Sequence, residues 1–188
     1  MLKGKTVILG VTGSIAAYKM ANLTSMLKKL QCDVHVIMTK NATQIINPIT
    51  FETLTAHKCL VDTFDRNFNY NIEHVALGEK ADVVLVAPAS ADVIGKMAAG
   101  IADDMLTTTL LACKCKIMVA PAMNTAMYEN VVVQNNLKKL KEFGMEVIEP
   151  DSGRLACGVD GKGKLPSEEM LLEYILREIQ FEKDMVGK

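Results

Sequence analysis

Val83–Ala87 (VVLVA) is an unbroken apolar, largely β-branched run of strand length. A strand with one wet face alternates apolar and polar residues, so a continuous run marks a strand buried on both faces, as in a parallel sheet. Lys116–Ala120 (KIMVA) repeats the signature. Lys5–Val11 (KTVILGV) and Asp33–Thr39 (DVHVIMT) add two more strands, Glu146–Ile148 a last short one, and Cys59–Asp62 a weak one. Helical segments fall between them. Ser14–Leu30 carries Ile15, Tyr18, Leu23, Met26, Leu27 and Leu30 at helical spacing, and short stretches follow Asn41 and surround Ile49–Leu54. His74–Lys80, Ala91–Ala98, Met105–Ala112 and Val131–Phe143 complete the middle of the chain, and Ser167 caps a final helix over Glu168–Glu182. Strands alternating with helices imply right-handed crossovers and a sheet covered on both sides. The expected fold is a single doubly wound α/β domain over residues 1–180, with 181–188 as a tail or the start of a linker.

Composition removes several other classes. Twenty-one basic and 22 acidic residues leave a net charge of −1, with no basic footprint for a phosphate backbone. The longest uncharged stretch, Thr6–Tyr18, is thirteen residues, short of the roughly 18–20 that span a bilayer. It follows Lys3 and Lys5 and ends in small residues, so a secretory signal is the alternative; Gly10 and Gly13 interrupt the apolar block and favour a first strand. Five scattered cysteines do not form a disulfide framework, and reduced thiols in a cytoplasmic protein are expected.

In doubly wound sheets, ligands bind beyond the carboxyl ends of the strands. Thr12-Gly13-Ser14-Ile15 follows the first strand and offers a hydroxyl and amides at a helix start, suited to an anion. Neither the dinucleotide fingerprint nor a Walker lysine is present. Thr39-Lys40-Asn41 follows the second strand, Pro88-Ala89-Ser90-Ala91-Asp92 the third and Pro121-Ala122-Met123-Asn124 the fourth. Small residues there admit a flat ring close to the backbone, while Ser90, Asp92 and Asn124 can supply edge contacts or simply cap helices. Residues 149–166 hold Gly153, Gly158, Gly161 and Gly163, too many for a helix or central strand, and are expected to be a loop serving as a lid. Cys157 is the cysteine of that loop. His74 is the best candidate base, whereas His35 and His57 lie in a strand pattern and a polar helical stretch. Cys113-x-Cys115 has no second Cys/His pair at a zinc spacing, so no metal site is expected.

Taken together, GVTGSIAAYK (Gly10–Lys19), IEHVALGEKAD with its His74, PASAD (Pro88–Asp92), AGIADDMLTT (Ala99–Thr108), PAMNTAMY (Pro121–Tyr128) and LACGVDGKGKL (Leu155–Leu165) resemble the flavin-dependent cysteine decarboxylases along nearly the whole chain. The resemblance implies a Rossmann-like, flavodoxin-like fold with FMN held by Gly13, Ser14, Ile15, Thr39, Asn41, Ser90, Ala91, Asp92, Val93 and Ala122. It implies substrate contacts from Met123, Asn124, Ala156 and Gly158, with Asn124 on the carboxylate, His74 as a catalytic base and Cys157 as the proton donor on the lid. Many members read PASANT where this chain has Asp92-Val93, and many carry Asp where it has Val159.

The resemblance further implies the reaction. A cysteine carboxylate loses CO2 slowly because the resulting carbanion lacks an electron sink; oxidation to a thioaldehyde supplies one, and decarboxylation then leaves an enethiolate. The implied substrate is 4′-phosphopantothenoylcysteine, giving 4′-phosphopantetheine in coenzyme A biosynthesis. The implied assembly is a homo-oligomer built from trimers (trimer or dodecamer), with a phosphopantothenate–cysteine ligase domain or protein as a further partner. No nucleic acid or membrane partner is expected. Alternatives within the fold are a peptidyl-cysteine decarboxylase, a flavin prenyltransferase and a non-catalytic flavin-binding subunit.

Overall fold

The computed structural model describes residues 2–65, 73–156, 158 and 160–186, the side chains of residues 73, 74 and 181–186 excepted. Five strands, β1 (Thr6–Val11), β2 (Asp33–Met38), β3 (Val83–Ala89), β4 (Lys116–Pro121) and β5 (Glu146–Val147), form one sheet in the order β2-β1-β3-β4-β5. Every pairing is parallel. All residues of β1 and β3 are buried, as their unbroken apolar runs require.

Side-chain alternation divides the core into two layers. Val7, Leu9 and Val11 of β1, with Val83 and Leu85 of β3, face α1 (Met20–Lys29), α2 (Pro48–Thr55) and α8 (Glu168–Val186). From α1 come Leu23 and Leu27; from α8 come Leu171, Ile175 and Ile179, each set spaced by four residues along one helical face. Ile8, Val84 and Val86 point the opposite way, toward α3 (Glu73–Lys80), α4 (Ala91–Ala99), α5 (Met105–Ala112) and α7 (Val131–Glu142). Fully burying each such Leu, Ile or Val side chain stabilises the fold by about 1.5–3 kcal/mol. The β1 amino end is tied to the segment before β3, where Asp82 accepts from Lys5 Nζ and from the Thr6 amide, both at 2.7 Å.

Local chemistry sets the helix ends. Asn47 precedes Pro48 and accepts the Ile49 amide at 3.1 Å to start α2, and Asp104 and Thr107 form a reciprocal capping box on α5. Residues Ile15–Lys19 are a 3-10 helix that leads directly into α1.

Three sequence expectations are corrected. Residues 149–166 are not a plain loop: β6 (Asp151–Arg154) and β7 (Asp160–Lys164) pair as an antiparallel hairpin. The last helix, expected to end at Glu182, runs to Val186. Cys59–Asp62 contributes one parallel bridge, Ile37 to Leu60, with His57 in the turn after α2 and not in a helix. A short helix, α6 (Thr125–Glu129), has no counterpart in the sequence reading.

Candidate active site

Because β1 lies between β2 and β3, the chain reverses direction across the sheet there, and the crevice beyond the carboxyl ends of β1 and β3 is where such folds bind ligands. Thr12 closes the floor of that crevice. Its buried hydroxyl donates to the Pro88 carbonyl at 2.6 Å and accepts from the Ser90 amide at 2.8 Å. The Ala122 amide donates to the Ala89 carbonyl at 3.1 Å, so the ends of β1, β3 and β4 are locked together. Ser90 accepts the Val93 amide at 3.3 Å and Asn124 accepts the Ala126 amide at 2.9 Å; both start helices, α4 and α6. Ser14 makes no side-chain cap bond and faces the crevice.

The hairpin forms the facing wall. The Met123 amide donates to the Gly163 carbonyl at 3.0 Å. A Cβ at Gly163 would overlap the Met123 carbonyl oxygen, and one at Gly161 would overlap the Thr125 hydroxyl, so the glycines permit β7 to lie directly on the loop after β4. Glu149 holds the base of the hairpin. It accepts from Tyr128 Oη and Lys162 Nζ at 3.0 Å each, and from Lys141 Nζ at 3.1 Å. Lys162, supported by Lys141 and Tyr128, pulls the Glu149 carboxyl down to about 2. Thr125 Oγ1 is buried with no partner among the described residues.

Between floor and wall lies a cavity of about 640 Å³, within the range of small-molecule sites. Its surface is mainly apolar, but Lys19, Arg154 and Lys164 border it and no acidic residue does so among the described residues. Of the predicted residues, Gly13, Ser14, Ile15, Ser90, Ala91 and Ala122 line the cavity. Met123, Asn124 and Ala156 line it as well. Asn41 stands against its rim, since a Cβ on Gly13 would lie 2.6 Å from the Asn41 Cβ. Thr39 is buried outside the cavity lining and accepts the Ala42 amide at 3.2 Å; Val93 is buried in the core. Asp92 pairs with Lys96 at 3.5 Å on α4, and Gly158 sits at the hairpin turn, bonded to the Leu155 carbonyl at 2.8 Å. The His74 side chain, Cys157 and Val159 lie outside the described residues.

Sequence reasoning missed Thr12 as the latch and Lys19, Arg154 and Lys164 as the cationic border. Arg154 and Lys164 could have been found only by recognising the glycine-rich stretch as a hairpin.

The flavoprotein family profile matches residues 1–180. The chain belongs to the flavoprotein family. Among curated members, it is 46% identical over 173 residues to the coenzyme A biosynthesis bifunctional protein CoaBC of Bacillus subtilis, covering 92% of this chain and 43% of that protein. The chain thus spans under half the length of that relative. It is 41% identical to the probable phosphopantothenoylcysteine decarboxylase of Streptococcus mutans, over 91% of this chain and 97% of the relative. Its fold superposes on the FMN-dependent cysteine decarboxylase SpaF with a TM-score of 0.82 and 31% identity, over 96% of this chain and 99% of that one.

Proposed function

We propose that this flavoprotein binds FMN in the crevice and decarboxylates 4′-phosphopantothenoylcysteine to 4′-phosphopantetheine and CO2. The observation that carries the reading is the cavity itself: it lies at the topological switch point, with apolar walls for a flat ring, three cations for phosphate and, among the described residues, no acid to oppose it. The residues fit FMN, because a ring can lie against Ala91 and Ala122 while Ser14, Ser90 and Lys19 meet its polar end. When bound, FMN supplies a reversible two-electron sink for the cysteine.

The chain's own groups do the rest. Asn124 orients the substrate carboxylate, and the hairpin covers the substrate and excludes water. His74 takes the thiol proton. Cys157, next to the cavity-lining Ala156, delivers a proton to the carbon that CO2 leaves, so the carboxylate is replaced by hydrogen. Exposed Ile15 (60%), Tyr18 (59%) and Met127 (49%) border the cavity as an uncovered apolar rim, which supports a homo-oligomer built from trimers whose neighbour completes the site. A ligase domain, or a separate ligase acting in the same cytoplasm, supplies the substrate.

Likeness to the peptidyl-cysteine decarboxylase EpiD, at 27% identity and a TM-score of 0.76, favours a second reading, a peptidyl-cysteine substrate. The greater identity to the CoaBC relative, 46% against 27%, supports the small substrate instead. The FMN-loaded protein given equal concentrations of 4′-phosphopantothenoylcysteine and a cysteine-terminated peptide should consume the first; preferential decarboxylation of the peptide overturns the choice.

A further inference from the structure

At the opposite, amino-terminal end of the sheet, Asp33 and His35 stand two residues apart on β2 and so share one face of the edge strand. His57 reaches them from the turn that ends α2. Asp33 Oδ2 lies 3.2 Å from His35 Nε2, and Oδ1 lies 2.7 Å from His57 Nε2. The two imidazoles stack with centroids 4.2 Å apart and planes 13° from parallel. Potential donor atoms of all three residues lie within 4.8 Å of one another, each residue half-buried.

The supports are rigid. Asp33 and His35 are fixed by pairing with β1, and the His57 backbone by its amide donating to Thr55 Oγ1 at 3.1 Å beside the left-handed Ala56. Preorganisation of this kind is what separates a binding constellation from a chance surface cluster. Lys80 Nζ, from the end of α3, pairs with Asp33 Oδ2, so one ammonium already occupies part of the positive position that the carboxylate creates.

Two imidazole nitrogens and one carboxylate oxygen are a donor set suited to zinc, with solvent available as a fourth ligand. Donors about 2.0–2.1 Å from a tetrahedral ion lie roughly 3.3 Å apart, close to the separations between Asp33 and the two rings. Seating the ion requires the rings to tilt out of their stack so that their lone pairs converge, and the Lys80 ammonium to swing aside. We propose that Asp33, His35 and His57 bind one zinc-class divalent cation, which clamps the exit of α2 onto the edge strand, remote from the cavity.

The test is calorimetric titration of ZnCl2 into the reduced, FMN-loaded full chain, with thermal unfolding in parallel. One equivalent is expected to bind and raise the Tm. Removing a partner of a metal ligand typically costs 10–100-fold in affinity, so His35→Gln/His57→Gln should weaken binding by at least about tenfold. Cys113→Ser/Cys115→Ser should leave it unchanged. No zinc binding by the wild type, equal binding by the histidine double variant, or loss in the cysteine variant each overturns the site. If the double variant fails to fold, His57→Gln alone, on the more exposed ring, decides: unchanged affinity there overturns the site.

Discussion

Thr12→Val tests whether the floor of the crevice is latched by one hydroxyl. Valine has nearly the same shape, but it removes the donor to the Pro88 carbonyl at 2.6 Å and the acceptor of the Ser90 amide at 2.8 Å. Each buried polar group left without a partner costs about 1–3 kcal/mol. Pro88 is buried and Ser90 half-buried, so the two losses together should cost about 2–4 kcal/mol, with Ser90 toward the lower end. With a urea m-value of about 2 kcal/mol/M, the unfolding midpoint should fall by roughly 1–2 M. Thr12→Ser, which keeps the hydroxyl, should recover most of the loss. FMN affinity, followed by flavin fluorescence, should fall with stability in the valine variant, because Ser90 borders the cavity. A valine variant within about 0.5 kcal/mol of wild type and with unchanged FMN affinity would refute the latch; differences of that size are ordinary for surface substitutions.

Gly163→Ala places a Cβ on the Met123 carbonyl oxygen at a backbone φ of +137°, so the hairpin must lift; limited proteolysis should nick residues 151–164 faster than in wild type, and equal protection would argue against the close approach. Glu149 has a carboxyl lowered to about 2 by Lys162, Lys141 and Tyr128. A group depressed on folding contributes stability above its unfolded value, near 4.5, and loses it as the pH falls toward the folded value. Hairpin protection from proteolysis by an acid protease should therefore decline between about pH 4.5 and 2, and Glu149→Gln should flatten that decline. Cys157→Ser should bleach the flavin on mixing with substrate yet release no product, and normal turnover by that variant would remove the proton-donor role.

The parallel sheet was legible because burial on both faces forces an apolar run, and β3 and β4 display it without interruption. The segments starting at Thr12, Thr39, Pro88 and Pro121 followed from the same logic, since each stands at the carboxyl end of a strand. The hairpin was hidden because DSGR and DGKGK carry no alternating apolar face; what fixes them is contact with Met123, Thr125 and Glu149, which residue order does not reveal. The latching role of Thr12, read from the sequence only as a hydroxyl for an anion, was hidden for a similar reason, its partners lying 76 and 78 residues away. Cys32 and Cys59 are core thiols: both are buried, and desolvation pushes both up to about 12, which keeps them protonated and inert.

We propose that copies of this chain, assembled so that a neighbour completes each cavity, carry out the decarboxylation. Mass spectrometry of 4′-phosphopantothenoylcysteine incubated with the FMN-loaded chain alone tests it most directly. Conversion to 4′-phosphopantetheine with loss of CO2 over many turnovers, and the flavin returned to its oxidised spectrum, is the expected result. Unchanged substrate beside fully bound FMN would contradict it.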